Sequence, residues 1–461
     1  MERHRFITLL GVVVAVALVV GGCRHDNDDS GIASSSPTTI PQATAAQLAA
    51  AKLDGLPLAP KSKRVDLIAP PFSTPTRVTN PLFPITKLRS AILNGSVEDK
   101  PFRVETTLLP ETRIIGWPKG RQVETLVSQY VAYLDGRIEE VALDFYAQAD
   151  DGSVWYFGED VFNYQDGLIG DTDGTWIAGK EGPPAMIMPA DPQLGDVYRP
   201  ENIPGLVFEE VTVKSVGKTV EGPRGAVEGA IIAEELHQDG MREDKTFAPG
   251  YGEFFTGSGG DVEALALAVP TDRLPGPVPA ELETLSAGAD DIFDQARSGD
   301  WQAASATVGT MTGAWTTFRA GDIPPRLEPP TSGALEELVR AVAAREPEKA
   351  RQAAIDVAQA GLDLQLRHRP PAEIDRARFE LWARQIVVDA AADDLALVSG
   401  DLAALEWIRD RFVHTLDKLS VTRIDAHLVE LRAKVADEEL GGAAAEAQSV
   451  RDTLAGLEQP A

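Results

Sequence analysis

Aromatic side chains are concentrated in one stretch of the chain and are the first candidates for a binding surface. Between Leu143 and Gly167 there are seven of them, in a protein that is only 6% aromatic. In an extended strand Trp155 and Phe157 point to one face and Tyr156 to the other, and large rings on both faces are typical of a doubly buried strand. A core is the favoured interpretation, and a groove for an apolar or glycan ligand is the alternative. The predicted lining of such a groove is Tyr146, Trp155, Tyr156 and Tyr164.

A second group of residues has types suited to metal binding. Glu406, Asp410 and His414 are spaced four residues apart in EWIRDRFVH, so a helix would place them along one side. Carboxylates and imidazoles bind metals, and a neighbouring helix would have to add ligands such as Glu380 or Asp389. Two adjacent arginines would pair with the same carboxylates, so a solvated, salt-bridged face is favoured over a metal site. No cofactor is predicted.

The motifs of several common enzyme classes are missing from the sequence. It contains no His-Glu-x-x-His, Gly-x-Ser-x-Gly, Walker or Gly-x-Gly-x-x-Gly motif. A non-catalytic protein is therefore favoured. Paired carboxylates alone can hydrolyse glycosides, so a carboxylate-dependent surface hydrolase is kept as an alternative.

The N-terminal segment predicts secretion and lipid anchoring. In MERHRFITLLGVVVAVALVVGGC a short basic region precedes an apolar run and two glycines, which is the layout of a signal peptide over residues 1–22. The VGGC ending resembles a bacterial lipobox, and Cys23 is the only cysteine in the chain. We therefore predict lipidation of Cys23 and a location on the extracytoplasmic side of the cell membrane, with the outer membrane as an option where the cell has one.

Composition limits the partners of the protein. The net charge is −28, which is opposite to the basic surface that nucleic-acid binding requires. The predicted partners are the membrane, through the lipid anchor, and a protein, apolar or glycan ligand.

The order of elements predicts a multidomain α+β fold. After the lipidated cysteine and a flexible tether (residues 23–64), residues 65–270 alternate apolar and polar positions, with Asp-Gly turns at LDGR and DDGS. This pattern predicts an antiparallel β domain: a meander, an open barrel or a sandwich. A Pro-rich linker over residues 271–280 precedes a bundle of helical hairpins over residues 281–461, and the two parts are expected to fold independently.

Two patterns define the predicted helices more closely. Leu405, Ile408, Phe412, Leu416 and Leu419 form one apolar stripe, which indicates a single continuous helix. SGDWQAA and SGDLAAL each predict a turn whose Asp caps a new helix. We expect four hairpins in one or two four-helix groups.

Several separated motifs resemble those of an uncharacterised bacterial secreted and lipoprotein family. They include FYAQADDGSVWYFGED (145–160) and FAPGYGEF (247–254), and the helical part is similar to the C-terminal half of some members. The resemblance implies a β domain followed by helices and carries no reaction or ligand. Taken with the anchor, the sequence predicts a non-catalytic envelope lipoprotein that binds or scaffolds. The alternatives are a metal- or cofactor-binding lipoprotein using the helical bundle, and the hydrolase.

Overall fold

The computed structural model describes residues 36–457, in which a large antiparallel sheet is followed by helices. The predicted α+β fold class is confirmed. The strands are β1 (Thr38–Thr39), β2 (Ile68–Ala69), β3 (Ser90–Val97), β4 (Lys100–Ile115), β5 (Val123–Leu134), β6 (Arg137–Gln148), β7 (Val154–Gln165), β8 (Leu168–Asp171), β9 (Trp176–Ile177), β10 (Ala185–Met188), β11 (Val197–Ile203), β12 (Val207–Gly222), β13 (Gly225–His237), β14 (Arg242–Ala248), β15 (Gly252–Ser258) and β16 (Asp261–Val269).

The large sheet is wound into a barrel. Its strand order is β10-β7-β6-β5-β4-β3-β16-β15-β14-β13-β12-β11, and β10 and β11 at its two ends lie against each other. Strands β5 and β6 meet at the predicted turn, where Asp135 and Gly136 both have positive φ (51° and 74°), the conformation of a tight hairpin. Because neighbouring residues of a strand point to opposite faces, alternate side chains of every strand enter the interior of the barrel.

The segment that precedes the barrel is folded onto it. Strand β1 pairs with β2, a short helix α1 spans Ala45–Ala50, and the side chains of Ile40 and Leu53 are buried. The prediction of a flexible tether over residues 23–64 therefore does not hold for its described part, residues 36–64. In this segment apolar and polar residues alternate over too few positions to predict a strand from the sequence alone.

The helices form two four-helix groups, where the sequence left open one or two. Three begin at an Asp N-cap: Asp300, Asp394 and Asp417. The eight helices that follow the barrel in the described chain are α2 (Ala280–Ser298), α3 (Trp301–Phe318), α4 (Glu328–Ala344), α5 (Pro347–Gln365), α6 (Pro371–Ala391), α7 (Leu395–Phe412), α8 (Lys418–Ala436) and α9 (Leu440–Leu457). One-turn 3-10 segments lie before the barrel at Lys61–Lys63 and after α7 at Val413–Thr415.

Two details of the helical prediction are wrong. The SGD of SGDLAAL lies inside α7, which starts earlier because Asp394 caps it. The apolar stripe is interrupted at Phe412, where α7 ends, and Leu419 is 60% exposed on the next helix. A strong cap at Asp417 begins α8 there and overrides the apolar periodicity across the break.

The barrel and the helices share buried contacts. Ile92, Leu267 and Val269 of the barrel lie in one apolar cluster with side chains of α2 to α5. At a second contact, the buried carboxylate of Glu105 on β4 accepts hydrogen bonds from Arg103 (2.7 Å) and from Arg411 of α7 (2.5 Å). The expectation of two independently folding parts differs from this arrangement, because removing either part would expose apolar surface and break the buried ion pair between Glu105 and Arg411.

Candidate site inside the barrel

A cavity of about 170 Å³ lies inside the barrel. The segment before β3 covers it at one end, where Phe83 and Leu88 contribute apolar walls. The strands contribute a mixture of apolar, aromatic and charged groups. The lining includes apolar and aromatic side chains (Leu93, Tyr130, Tyr146, Ile187, Tyr198 and Phe247) and charged ones (Asp144, Glu235, Lys245, Glu253 and Glu263).

A second cavity of about 510 Å³ lies at the opposite end of the barrel, which we call the mouth. It is formed where β7 approaches its end and where the turns β11–β12 and β13–β14 lie. Glu209 lines the mouth and Glu235 lines the inner cavity, and their carboxylates lie within 4.8 Å of each other. The mouth and the inner cavity are therefore adjacent parts of one lumen.

The lumen carries many carboxylates because acidic residues occupy inward positions on successive strands. On β13, Glu235 points inward, whereas its neighbour Glu234 points outward and pairs with Lys214 and Arg242. The same alternation on β12 places Glu209 inside and Glu210 outside, next to Arg199. We call the inward set the luminal carboxylates: Glu140, Asp144, Glu159, Glu201, Glu209, Glu235, Glu243, Glu253 and Glu263.

Burial makes several of these groups retain protons at neutral pH. Loss of hydration raises the pKa of Glu140 and of Asp144 to about 7 and that of Glu159 and Glu235 to about 8. Repulsion from neighbouring carboxylates acts in the same direction. Burial, together with repulsion from Glu209 and Glu159, also raises the pKa of Glu201 well above its ordinary value.

Two cationic side chains lie among the luminal carboxylates. His237 sits between Glu209 and Glu243, with each ring nitrogen 3.0 Å from one of their oxygens. Burial opposes its charge, but these hydrogen bonds prevail and raise the pKa of His237 to about 10, so its imidazole is charged. Lys245 lies deeper, with Nζ 2.7 Å from Glu235. The inner surface therefore holds nine carboxylates and two cations.

One hydroxyl group in the wall of the inner cavity lacks a hydrogen-bond partner among the described residues. It is Oη of Tyr198, a residue that is 1% exposed. A buried hydroxyl without a partner costs about 1–3 kcal/mol, so such groups are uncommon unless something else hydrogen-bonds to them. Because Tyr198 lines the inner cavity, this hydroxyl is a candidate partner for a bound molecule.

The donor set at the junction of mouth and cavity also has to be tested for a metal. The ligand atoms of Glu209, Glu235 and His237 all lie within 4.8 Å of one another, and their types suit a transition metal. However, both nitrogens of His237 are already bonded to carboxylates, and Lys245 occupies the vicinity of Glu235. The protein's own cations thus compensate the carboxylates that a metal would use.

The structure separates the four aromatic residues proposed as groove lining. Tyr146 lines the inner cavity, and its ring stacks on that of Tyr156 at 4.8 Å. The hydroxyl of Tyr156 is buried rather than solvated, and it donates to Asp144 at 2.6 Å. Trp155 does not line the cavity: it is fully buried on the other face of β7, packed edge-on against Phe72.

Tyr164 lies outside the lumen. A bulge near Gly158 shifts the alternation of β7, so Tyr164 points to the outer face and accepts a hydrogen bond from Trp407 Nε1 of α7 at 2.8 Å. Its role in this structure is to attach the helices to the barrel wall. The prediction assumed that side chains alternate strictly along the strand, and the position of a bulge cannot be read from the sequence.

The structure does not bring together the three residues proposed as a metal site in the helices. Arg432 pairs with Glu406, and Arg409 donates to Asp410 at 2.6 Å. His414 lies in the exposed 3-10 turn after α7, so the helix needed to align it with the carboxylates has already ended. Arg409 therefore pairs with a helical carboxylate as expected, whereas Arg411, the other arginine of the prediction, pairs with Glu105 of the barrel.

The additional ligands proposed for that site are occupied as well. Glu380 accepts from Arg384 at 2.8 Å, and Asp389 accepts from Arg137 of the barrel at 2.8 Å. Both carboxylates therefore stabilise helix packing, and neither points to a shared centre with Glu406.

The luminal carboxylates were missed by reasoning from sequence, although a pattern for them exists. REDKTF, which forms most of β14, has Glu243, Lys245 and Phe247 at every second position, and EELH on β13 has Glu235 and His237. Alternate charged residues normally indicate the solvent face of a strand. Only the closure of the sheet shows that these charged positions face inward.

Comparison with known proteins identifies no relative: no protein-family model matches the chain, and no curated protein matches it. Within residues 36–457, none of the helices combines the length and apolar character needed to cross a membrane.

Proposed function

We propose that the protein is a lipid-anchored, extracytoplasmic binding protein without catalytic activity, and that it holds a small ligand inside its barrel. The observation that supports this most directly is the cavity of about 170 Å³ inside the barrel, whose largely apolar wall includes several carboxylates and Tyr198 with its unpartnered hydroxyl. A few convergent polar groups on a largely apolar, enclosed wall are characteristic of small-molecule sites.

The proposed anchor is Cys23, which lies outside the described residues. It is supported by the signal-peptide pattern and by the position of the chain's single cysteine directly after VGG. Ile40, near the start of the described residues, is already buried on the barrel. The ligand site would then be carried close to the membrane surface.

In this proposal the helices support the barrel and offer a docking surface to other envelope components. They pack on the outer wall of β4 to β7, where Arg411 and Trp407 of α7 bond to the barrel and Arg137 of β6 bonds to Asp389 of α6. The inner faces of the same strands line the lumen with Tyr130, Asp144 and other groups. These contacts keep the cavity wall in position, and this role requires no catalytic group in the helices.

The test is whether the mature protein retains a small molecule in its barrel. Native mass spectrometry of the protein isolated from its envelope should show a bound mass that disappears on denaturation. Ala91 lines the cavity, so Ala91→Phe should fill it and remove the bound mass, whereas Ile114→Phe on the exposed face of β4 should not. The milder Ser128→Met tests the same wall if the first variant folds poorly. Retention of the bound mass in both cavity variants would refute the proposal.

One observation favours a hydrolase as a second candidate function. Burial raises the pKa of Glu159 in the mouth to about 8, and a carboxyl group that stays protonated near neutral pH has the state that a general acid needs. Hydrolysis of chromogenic glycosides that is abolished in Glu159→Gln but kept in Glu234→Gln would support this candidate over the binding protein.

A further inference from the structure

We infer that the ligand of the barrel is a small organic cation, an amine with an apolar or aromatic body, held by the luminal carboxylates. This inference rests on the proposed function, because it names the chemical class of the molecule that the cavity takes. It specifies the charge and the shape of the ligand, which the cavity alone does not define.

The charge of the lumen is the first reason. Nine carboxylates face two cationic side chains inside a barrel, and both of these cations are already paired with carboxylates. Glu253 and Glu263 line the inner cavity on the side of Lys245. Several of these carboxylates hold protons near neutral pH, so the excess of negative charge over the two cations develops as the pH rises. A positively charged ligand would compensate that excess, whereas an anion would add to it.

The walls of the inner cavity are the second reason. Aromatic rings of Tyr130, Tyr146 and Tyr198 face the same space as the carboxylates, and apolar side chains such as Ile187 and Phe247 close it. An ammonium group is attracted to the faces of aromatic rings as well as to carboxylates. The unpartnered hydroxyl of Tyr198 can accept from an N–H group of such a ligand.

A divalent metal ion fits the same surface less well. A metal would need its ligands free, but His237 is engaged at both ring nitrogens and Lys245 would repel a cation placed next to Glu235. A metal also gains nothing from the apolar walls. The combination of excess negative charge with a ring-lined, apolar cavity is the property that selects an organic cation.

Binding of a cation should be coupled to proton release. Around any ammonium group in the lumen the titratable neighbours are the luminal carboxylates, His237, Lys245 and the tyrosines, and burial raises the pKa of the tyrosines above its ordinary value so that they stay neutral. At pH 6 several of the carboxylates are protonated, and they ionise as the pH rises to 8. Cation affinity should therefore increase over this range.

The experiment compares three probes of similar shape on the full mature protein after removal of any bound molecule. Benzylamine is cationic, benzyl alcohol is neutral and benzoate is anionic. We expect calorimetry at pH 8 to show benzylamine binding at least about tenfold more tightly than benzyl alcohol, and no binding of benzoate. A primary amine stays protonated through pH 8, so a further rise in benzylamine affinity of about tenfold from pH 6 to pH 8 reports the lumen rather than the probe.

Two variants with opposite expected effects on benzylamine affinity distinguish the loss of a binding group from misfolding. Glu235→Gln removes one luminal charge and should weaken benzylamine binding about tenfold, while Glu234→Gln on the outer face of the same strand should leave it unchanged. Lys245→Met removes the competing cation and should strengthen binding. A merely damaged barrel cannot bind more tightly, so an increase in Lys245→Met supports the inference.

The outcomes separate this inference from the proposed function. Equal or tighter binding of benzyl alcohol, with Ala91→Phe blocking it, would overturn the cationic ligand and keep the barrel as a binding site. Binding of Ca²⁺ in place of benzylamine, lost in Glu235→Gln, would overturn the organic cation in favour of a metal. Failure of all probes, together with no bound mass in the native protein, would refute the proposed function itself.

Discussion

Stability of the ligand-free protein should fall as the pH rises from about 5.5 to 7.5, because the luminal carboxylates bind protons more strongly in the folded state. The folded pKa of Glu140 and of Asp144 is about 7 and that of Glu159 and Glu235 about 8, all above the values near 4 of an unfolded chain. Between these limits the folded protein holds more protons than the unfolded one. Raising the pH then favours unfolding.

The size of the effect follows from the number of protons held. Each extra proton in the folded state lowers the free energy of unfolding by about 1.4 kcal/mol per pH unit. Even one net proton over two pH units corresponds to about 3 kcal/mol, a large part of a typical domain's stability. His237 acts in the same direction, since its folded pKa of about 10 also exceeds the unfolded value.

Urea unfolding at pH 5.5, 6.5, 7.5 and 8.5, at constant low salt, measures this slope. We expect the free energy of unfolding to decline across the series, less steeply in Glu235→Gln and as in the parent protein for Glu234→Gln. A cation that binds the lumen should restore stability at the higher pH values. A flat or rising profile would show that the carboxylates are solvated and ionised in the folded state, and the description of the lumen would be wrong.

Three further predictions concern the core, the anchor and the interface. Trp155→Ala should lower the free energy of unfolding by about 3–5 kcal/mol, because it empties a fully buried site. Tyr156→Phe should lower it by about 1–3 kcal/mol, because Asp144 loses a buried hydrogen-bond donor. Thermal and urea melts measure both changes. Cys23→Ser should abolish incorporation of labelled fatty acid and leave unprocessed precursor. A truncated chain ending at Val269 should not unfold cooperatively in circular dichroism, because the wall that α2 to α7 cover would be exposed.

Each of these has a contrary result that is easy to recognise. A mild loss in Trp155→Ala would place the indole in an accessible site. Unchanged fatty-acid labelling in Cys23→Ser would refute the lipobox. A soluble, cooperatively unfolding chain ending at Val269 would show that the barrel core is sufficient by itself and that the buried contacts with the helices add little.

The fold class could be predicted because local patterns carry it. The Asp-Gly turns and the period-two alternation define hairpins such as β5–β6, and the Asp N-cap before α3 begins a helix where expected. Both depend on residues a few positions apart. The error at SGDLAAL has the same origin. Because Asp394 caps α7 seven residues earlier, Asp401 lies inside the helix and cannot act as an N-cap.

The candidate site could not be predicted because it depends on closure of the sheet. In sequence, Glu243 and Lys245 look like residues of a solvent-facing strand surface, and the aromatic stretch draws attention to Trp155. Once β10 and β11 meet, the charged face becomes the interior and Trp155 falls into the outer core. The choice between a strand's two faces is a long-range property, and β-bulges such as that in β7 shift it again.

A crystal structure of the mature protein soaked with benzylamine would test the central claim, that the barrel lumen is the ligand site, most directly. The predicted result is density for the ring beside Tyr146 and for the nitrogen within hydrogen-bonding distance of a luminal carboxylate, such as Glu253 or Glu263. The contradictory result is an amine bound elsewhere, for example in the cleft between barrel and helices near Trp382, with the lumen unchanged.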